Sequence, residues 1–177
     1  MIEINFTDII TKNRFGLIKF GDSIDKVIDV LGKPDGFSNP EVYKNGFEAI
    51  TYGYYEFTFH EKKVIMFHNK YLLGRNFRLT KSRVNFSNDK FTTIKIFNHL
   101  DNDISISSFR NYFKENKIRY KEDIFCNQLL RFTINKLQLL FISYKINFDP
   151  DPHNVFDPTE TNLKLCAFYC DKDFPKL

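Results

Sequence analysis

The stretch "DPDPHNVFDPTE", Asp149 to Glu160, is the densest run of oxygen donors in the chain. Asp149, Asp151, His153, Asp157 and Glu160 fall at positions 1, 3, 5, 9 and 12 of that window. An EF-hand loop draws its side-chain ligands from those positions, and the Val155 carbonyl would be the seventh. Calcium, a hard cation, favours such oxygens. The rest of the window opposes the wrap. Asn154 stands where the sharp turn needs Gly, and His153 offers nitrogen in place of oxygen. Pro150, Pro152 and Pro158 stiffen the backbone, and the flanks read as strands rather than helices. The expectation is a rigid acidic loop without a metal, ahead of a last strand, "NLKLCAFYC".

Other reactive side chains are scattered. His60 falls in a hairpin turn, His68 follows a strand ending at Phe67, and His99 precedes a helix. No two histidines share a metal-binding spacing, so all read as ordinary solvated or hairpin-end residues. Cys126, Cys166 and Cys170 are odd in number and lack the companions of a zinc pattern, so they read as reduced thiols. No P-loop, dinucleotide-binding glycine pattern or Gly-x-Ser-x-Gly elbow occurs. The expectation is a chain with no catalytic residues, no metal and no cofactor.

Charge is unevenly placed. Between Lys62 and Lys95 nine basic residues face one acid, Asp89, a net +8, whereas residues 101–177 carry eleven of each sign. This basic belt includes Arg75 and Arg78. It suits an acidic protein surface or a phosphate backbone. Tyr71, Phe77, Phe86 and Phe91 interleave with it, as stacking platforms would.

The elements that position these residues follow from pattern. Hydrophobic residues at 42% and charged residues at 27% specify a globular chain. No apolar run nears the ~20 residues of a membrane span, and the start, with Glu3 and Asp8, does not read as a signal peptide. In "GDSIDKVIDVLGKP", Ile24, Val27, Ile28 and Leu31 line one helical face. Asp22 or Ser23 can cap its start, Gly32 can take a left-handed C′ position, and Pro34 stops it. An interval of 82 carries Ser23, Ile24, Val27 and Leu31 onto Ser105, Ile106, Phe109 and Phe113. "FGLIKF" and "FTTIKIF" read as strands before the two helices. "YYEFTFHEKKVIMF" and "LLRFTINKLQLLFI" read as hairpins after them, each with Phe-Thr before its turn. "EAITY" and "IRYKED" add a strand before each hairpin. The expected fold class is α+β: two strand–helix–strand–strand–strand units, 1–75 and 76–177, with helices packed on antiparallel sheet.

The first unit resembles the small protein A and outer-membrane lipoprotein A family. The match lies in Gly21, the Ser23 cap, Val27 and Leu31-Gly32-x-Pro34, followed by the hairpin. The tandem form resembles the β-lactamase inhibitory protein fold, in which two such units present one sheet to a partner. Stand-alone chains of this look resemble bacterial immunity proteins. The resemblance implies a cytoplasmic protein that binds and neutralises a cognate toxin domain, without membrane attachment. The binding surface would be the solvent face of the sheet, with Tyr52, Tyr54, Tyr55 and Arg131 as anchors and Arg75 and Arg78 steering from the belt. The alternative is a nucleic-acid-binding module that uses residues 62–95.

Overall fold

In the computed structural model the chain runs β1 (Ile2–Glu3), α1 (Phe6–Lys12), α2 (Ile24–Leu31), β2 (Gly36–Phe37), β3 (Phe47–Tyr52), β4 (Tyr55–His60) and β5 (Lys63–Asn69). It continues through α3 (Lys81–Val84), β6 (Phe91–Thr92), a short 3-10 turn (Asn98–Leu100) and α4 (Ile106–Glu115). The last strands are β7 (Lys121–Phe125), β8 (Leu129–Ile134), β9 (Leu137–Ile142) and β10 (Lys164–Asp171). The structure describes residues 1–37, 47–69, 72, 81–100, 104–125, 129–142 and 163–171.

Both expected helices form as their caps demand. The Ser23 hydroxyl accepts the Lys26 amide at 3.2 Å, and the Ser105 hydroxyl accepts the Ser108 amide at 3.3 Å. These bonds satisfy orphan donors of the first turn. Val27, Leu31, Phe109 and Phe113 are all buried, as the shared spacing requires. Gly32 ends α2 differently from the expectation. Its φ is +86° but its ψ is −170°, an extended conformation open to glycine rather than the left-handed one. The carbonyls at this end are taken by tertiary partners instead. Asn88 Nδ2 donates to Leu31 O at 2.8 Å, and the Tyr52 hydroxyl donates to Gly32 O at 2.7 Å.

Eight strands form one antiparallel sheet in the order β2-β3-β4-β5-β10-β9-β8-β7. β1 and β6 form a separate parallel pair. The sheet is continuous across the boundary expected near residue 75, because β5 pairs with β10 there. One side of the sheet carries Ile50, Tyr55, Phe57, Phe67, Phe132 and Phe168, which share a single core with the helices. The Phe6 ring of α1 ties that core together. It lies 5.0 Å from Phe97, 5.7 Å from Phe109 and 5.4 Å from Phe168, so α1 bridges α4 and β10. No helix among the described residues is long and apolar enough to cross a membrane.

Several expected elements differ. Phe15 to Phe20 is not a strand: Phe15 and Ile18 close a tight turn on each other. Only Phe91–Thr92 of the second such segment is extended, and it pairs with β1 outside the large sheet. α1, α3, β1 and β2 were not apparent from periodicity. Each has eight residues or fewer, too short for a repeat to emerge.

The β3–β4 hairpin turns on Gly53-Tyr54. Gly53 has φ +59°, and Tyr54 keeps a negative φ, the arrangement in which a two-residue turn places glycine first. A Cβ on Gly53 would also come within 2.9 Å of the Phe86 ring. Gly53→Ala should therefore cost about 2 kcal/mol or more, from backbone strain and the clash together. Tyr54→Ala, next door and exposed, should stay within about 0.5 kcal/mol. Urea unfolding of both variants checks this, and equal losses would refute it.

Candidate partner-binding surface

The segment Tyr52-Gly53-Tyr54-Tyr55 splits into three roles. Tyr52 and Tyr55 are directly opposed across the hairpin and both point toward the helices. They are 0% and 1% exposed. This corrects the expectation that they anchor a partner on the solvent face. Strand parity is the reason: Tyr55 shares its face with Phe57 and Phe59, and Tyr52 shares its face with Ile50. Their hydroxyls work internally. Tyr52 donates to Gly32 O at the end of α2, and Tyr55 donates to Val84 O at the end of α3, at 2.5 Å. Thr93 Oγ1 donates to the same Val84 carbonyl at 2.7 Å, and Asn69 Nδ2 donates to Arg83 O at 2.8 Å. Burial raises both tyrosine pKa values, with the Asp35 charge adding to the effect at Tyr52, so each hydroxyl keeps its proton and remains a donor. Tyr54 alone is exposed, at 42%, with the Arg83 guanidinium 5.5 Å from its ring centre.

Arg131 lies on the sheet face away from the helices. It makes a two-pronged bond to Asp123 on β7, Nε to Oδ1 at 2.8 Å and Nη2 to Oδ2 at 2.7 Å. Its guanidinium also covers the Phe125 ring at 4.9 Å. The Arg131 bonds lower the Asp123 pKa despite partial burial, and the charges of Arg131 and Lys121 assist. Asp22, ahead of α2, behaves similarly for a different reason. Burial pushes its carboxyl upward. Hydrogen bonds from Lys26 Nζ at 2.8 Å and from the Lys19 amide at 3.0 Å, with the nearby lysine charges, outweigh that and hold it low.

The same face, away from the described helices, carries His68 as well. His68 is not a solvated strand-end residue. It sits inside β5 at 4% exposure, with Nε2 3.2 Å from Glu56 Oε1 on β4. Tyr169 of β10 meets its ring edge-on, with centroids 5.3 Å apart. The turn at Glu61-Lys62 alone would set Glu56 against Phe67, and only the irregularity that skips Ile65 brings His68 opposite Glu56. His60 is exposed and packs on Phe47 at 4.8 Å. Cys166 and Cys170 are free thiols, and burial pushes both up, Cys166 to about 12, so neither is a ready nucleophile. Among the described residues no group of three potential ligands could hold a metal. Arg75, Arg78, Cys126, His153 and the Asp149–Glu160 loop lie outside the described residues, as does the His99 side chain.

No family model matches the chain, and no curated protein or solved structure matches it.

Two tests follow from this geometry. Tyr55→Phe should cost about 1 kcal/mol, because the Val84 carbonyl keeps its bond from Thr93. Tyr55→Ala should cost about 3–5 kcal/mol through the cavity. Asp22 and Asp123 have depressed folded pKa values, so their contribution is present above the ordinary aspartate value of ~3.9 and is lost as pH falls through the lower folded values. Urea midpoints should hold down to roughly pH 4 and then fall. Asp123→Asn should start lower and show a shallower acid limb. An unchanged acid limb would refute the assignment.

Proposed function

We propose that the chain is a non-catalytic protein-binding module, an immunity protein that binds and neutralises a bacterial toxin domain in the cytoplasm. The observation that carries this reading is the face of the eight-stranded sheet that lies away from the described helices. All the described helices with buried residues share the core on the other side. The face away from them carries Arg131 locked to Asp123 and stacked on Phe125, with partly exposed Tyr169 and Met66 near its centre and Thr58, His68 and Leu140 buried beside them. Aromatic rings and ordered arginines of this kind are favoured interface anchors. Tyr54 with Arg83, at one hairpin tip, offers a second contact point. The resemblance of the Gly21–Pro34 segment and its hairpin points the same way.

We also infer that the chain is a tandem of two related units, and several registers support this. The Ser23 segment bridges Lys63 at the start of β5, and the Ser105 segment bridges Lys164 at the start of β10. Each bridge has the same two bonds: Ile24 N to Lys62 O and Val64 N to Asp22 O in one, Ile106 N to Leu163 O and Leu165 N to Ile104 O in the other. The β4–β5 register skips Ile65, and the β9–β10 register skips Cys166. The interval of 82 that links Ser23 to Ser105 also links β3 and β4 to β8 and β9, and it sets Gly53 at φ +59° against Asn135 at φ +53°. The Phe57-Thr58 and Phe132-Thr133 dipeptides lie 75 apart and align the strands one step out of place. The unit that fits is a helix followed by a four-strand meander.

A toxin domain encoded next to this chain, co-expressed with it, should copurify at one-to-one stoichiometry. Arg75→Glu with Arg78→Glu should slow association if the toxin surface is acidic. Replacing Arg131 by Ala should mainly speed dissociation, at a cost of about 2 kcal/mol if it anchors the complex. Nucleic acid retained through a high-salt wash, with no protein partner, would replace this reading with a nucleic-acid module built on residues 62–95.

A further inference from the structure

Among the described residues two buried side-chain atoms lack any hydrogen-bond partner in the protein: Thr58 Oγ1 and His68 Nδ1. The two residues are 3% and 4% exposed. They stand on the same face of neighbouring strands. Glu56 pairs with His68 and Thr58 pairs with Met66, so Thr58 and His68 are diagonal neighbours across the β4–β5 ladder. Diagonal positions on a sheet are about 7 Å apart, a gap that polar side chains can narrow. Each unpaired buried polar atom is destabilising and needs a reason.

The other half of the sheet supplies a comparison. In the tandem alignment Thr58 corresponds to Leu140 and His68 to Tyr169. The strand pairing is the same there, including the skipped residue. Leu140 is buried where Thr58 is buried. The same backbone is therefore built with an aliphatic side chain at the place of the hydroxyl, and without an imidazole. Packing does not ask for Thr58 or His68. Two polar groups at this depth need a hydrogen-bonding occupant that the chain itself does not supply.

We propose that Thr58 Oγ1 and His68 Nδ1 together hold one internal water molecule on the outer side of the β4–β5 hairpin. Water fits the pair in reach, chemistry and size. Two hydrogen bonds of about 2.8 Å span up to about 5.6 Å, within what diagonal side chains allow. The match holds for either form of the imidazole. Water accepts from an Nδ1–H and donates to an Nδ1 lone pair, and the Thr58 hydroxyl rotates to give or take the other bond. No charge on Glu56 or any other neighbour is needed. Both atoms are closed to bulk solvent, so the occupant is enclosed by protein, and water is the smallest molecule that both gives and accepts. The ladder irregularity falls between Thr58 and Phe59, and such a break loosens the pairing where a guest needs room. The other half shares that irregularity and fills the place with Leu140. This assignment is independent of the protein-binding reading.

Oxygen-17 relaxation dispersion of the solvent, which counts long-lived internal waters, tests the site in the intact chain. Thr58→Val keeps the shape, removes the hydroxyl and should lose one such water. Its melting temperature should stay unchanged or fall by up to about 4 °C, because His68 Nδ1 loses its bridge. A dry pair gives the opposite result: valine relieves an unpaired hydroxyl, the melting temperature rises and the water count stays the same. That result overturns the proposal. Thr58→Ser, which retains the hydroxyl, should keep the water, and its loss there also counts against the site. A crystal structure of the unmodified chain should show one water within hydrogen-bond distance of both atoms. No water between them, a separate water on each, or a protein group bonded to either refutes the shared site, even if Thr58→Val fails to fold.

Discussion

The antiparallel contact between β5 and β10 is the joint on which the rest of the fold depends. Only the C-terminal parts of the two strands meet, from Met66 against Asp171 to Asn69 against Phe168. The N-terminal part of each strand would otherwise expose a row of unpaired backbone groups at the centre of the sheet. Those groups are taken by the residues that begin the two long helices, around Ser23 for β5 and Ser105 for β10. One arrangement thus does two jobs. It closes the sheet into eight continuous strands, and it fixes where α2 and α4 start. A helix whose N-cap residue is part of a sheet ladder cannot slide along the sheet, so Val27, Leu31, Phe109 and Phe113 meet the core in one register.

The far ends of the helices are held by a different means. Helix C-termini leave carbonyls without partners, and burial makes that costly. Here the hairpin at Gly53 brings two tyrosines side by side, and each hydroxyl reaches a separate helix end. The Thr93 hydroxyl and the Asn69 amide complete the grip on α3. α3 has only four residues. These bonds hold its last carbonyls. The polar end of tyrosine, which makes the residue useful at interfaces, here serves the interior.

What the sequence made legible was local. Ser23 and Ser105 announce helix starts because a cap acts on an amide three residues away. The hairpin turns at Glu61-Lys62 and Asn135-Lys136 stand where alternation broke. Facing was less legible, and for Tyr52 and Tyr55 it was misjudged through their residue type. Alternation along Tyr55, Phe57 and Phe59 contained the right answer, since three aromatics on one parity mark the core side. The short α1 was hidden because seven residues give barely two turns. Its role depends on Phe6 meeting Phe97, Phe109 and Phe168, partners remote in sequence. The Glu56–His68 pair was hidden for a related reason: the two residues are twelve apart and become neighbours only through the hairpin register.

If the two halves are related, each position has a partner that separates what the sheet needs from what it tolerates. Lys63 and Lys164, Phe67 and Phe168, and Phe59 and Phe141 are alike in the two halves. Four of these six are buried aromatics of the core, and the two lysines stand at the bridges that seat the helices. The face away from the helices departs from that agreement. Ala49 stands against Arg131, Thr58 against Leu140, His60 against Ile142 and His68 against Tyr169. A sheet covered by helices on one side constrains the inner parity through packing, and much less the outer one. The outer face has nonetheless diverged, polar in one half and more apolar in the other, although Thr58, His68 and Leu140 are buried on it too. Divergence alone does not account for polar atoms that are buried there and unpaired within the chain, since packing and solvation both disfavour them. Divergence without stability cost would have left Thr58 and His68 either exposed or satisfied by the protein, and they are neither.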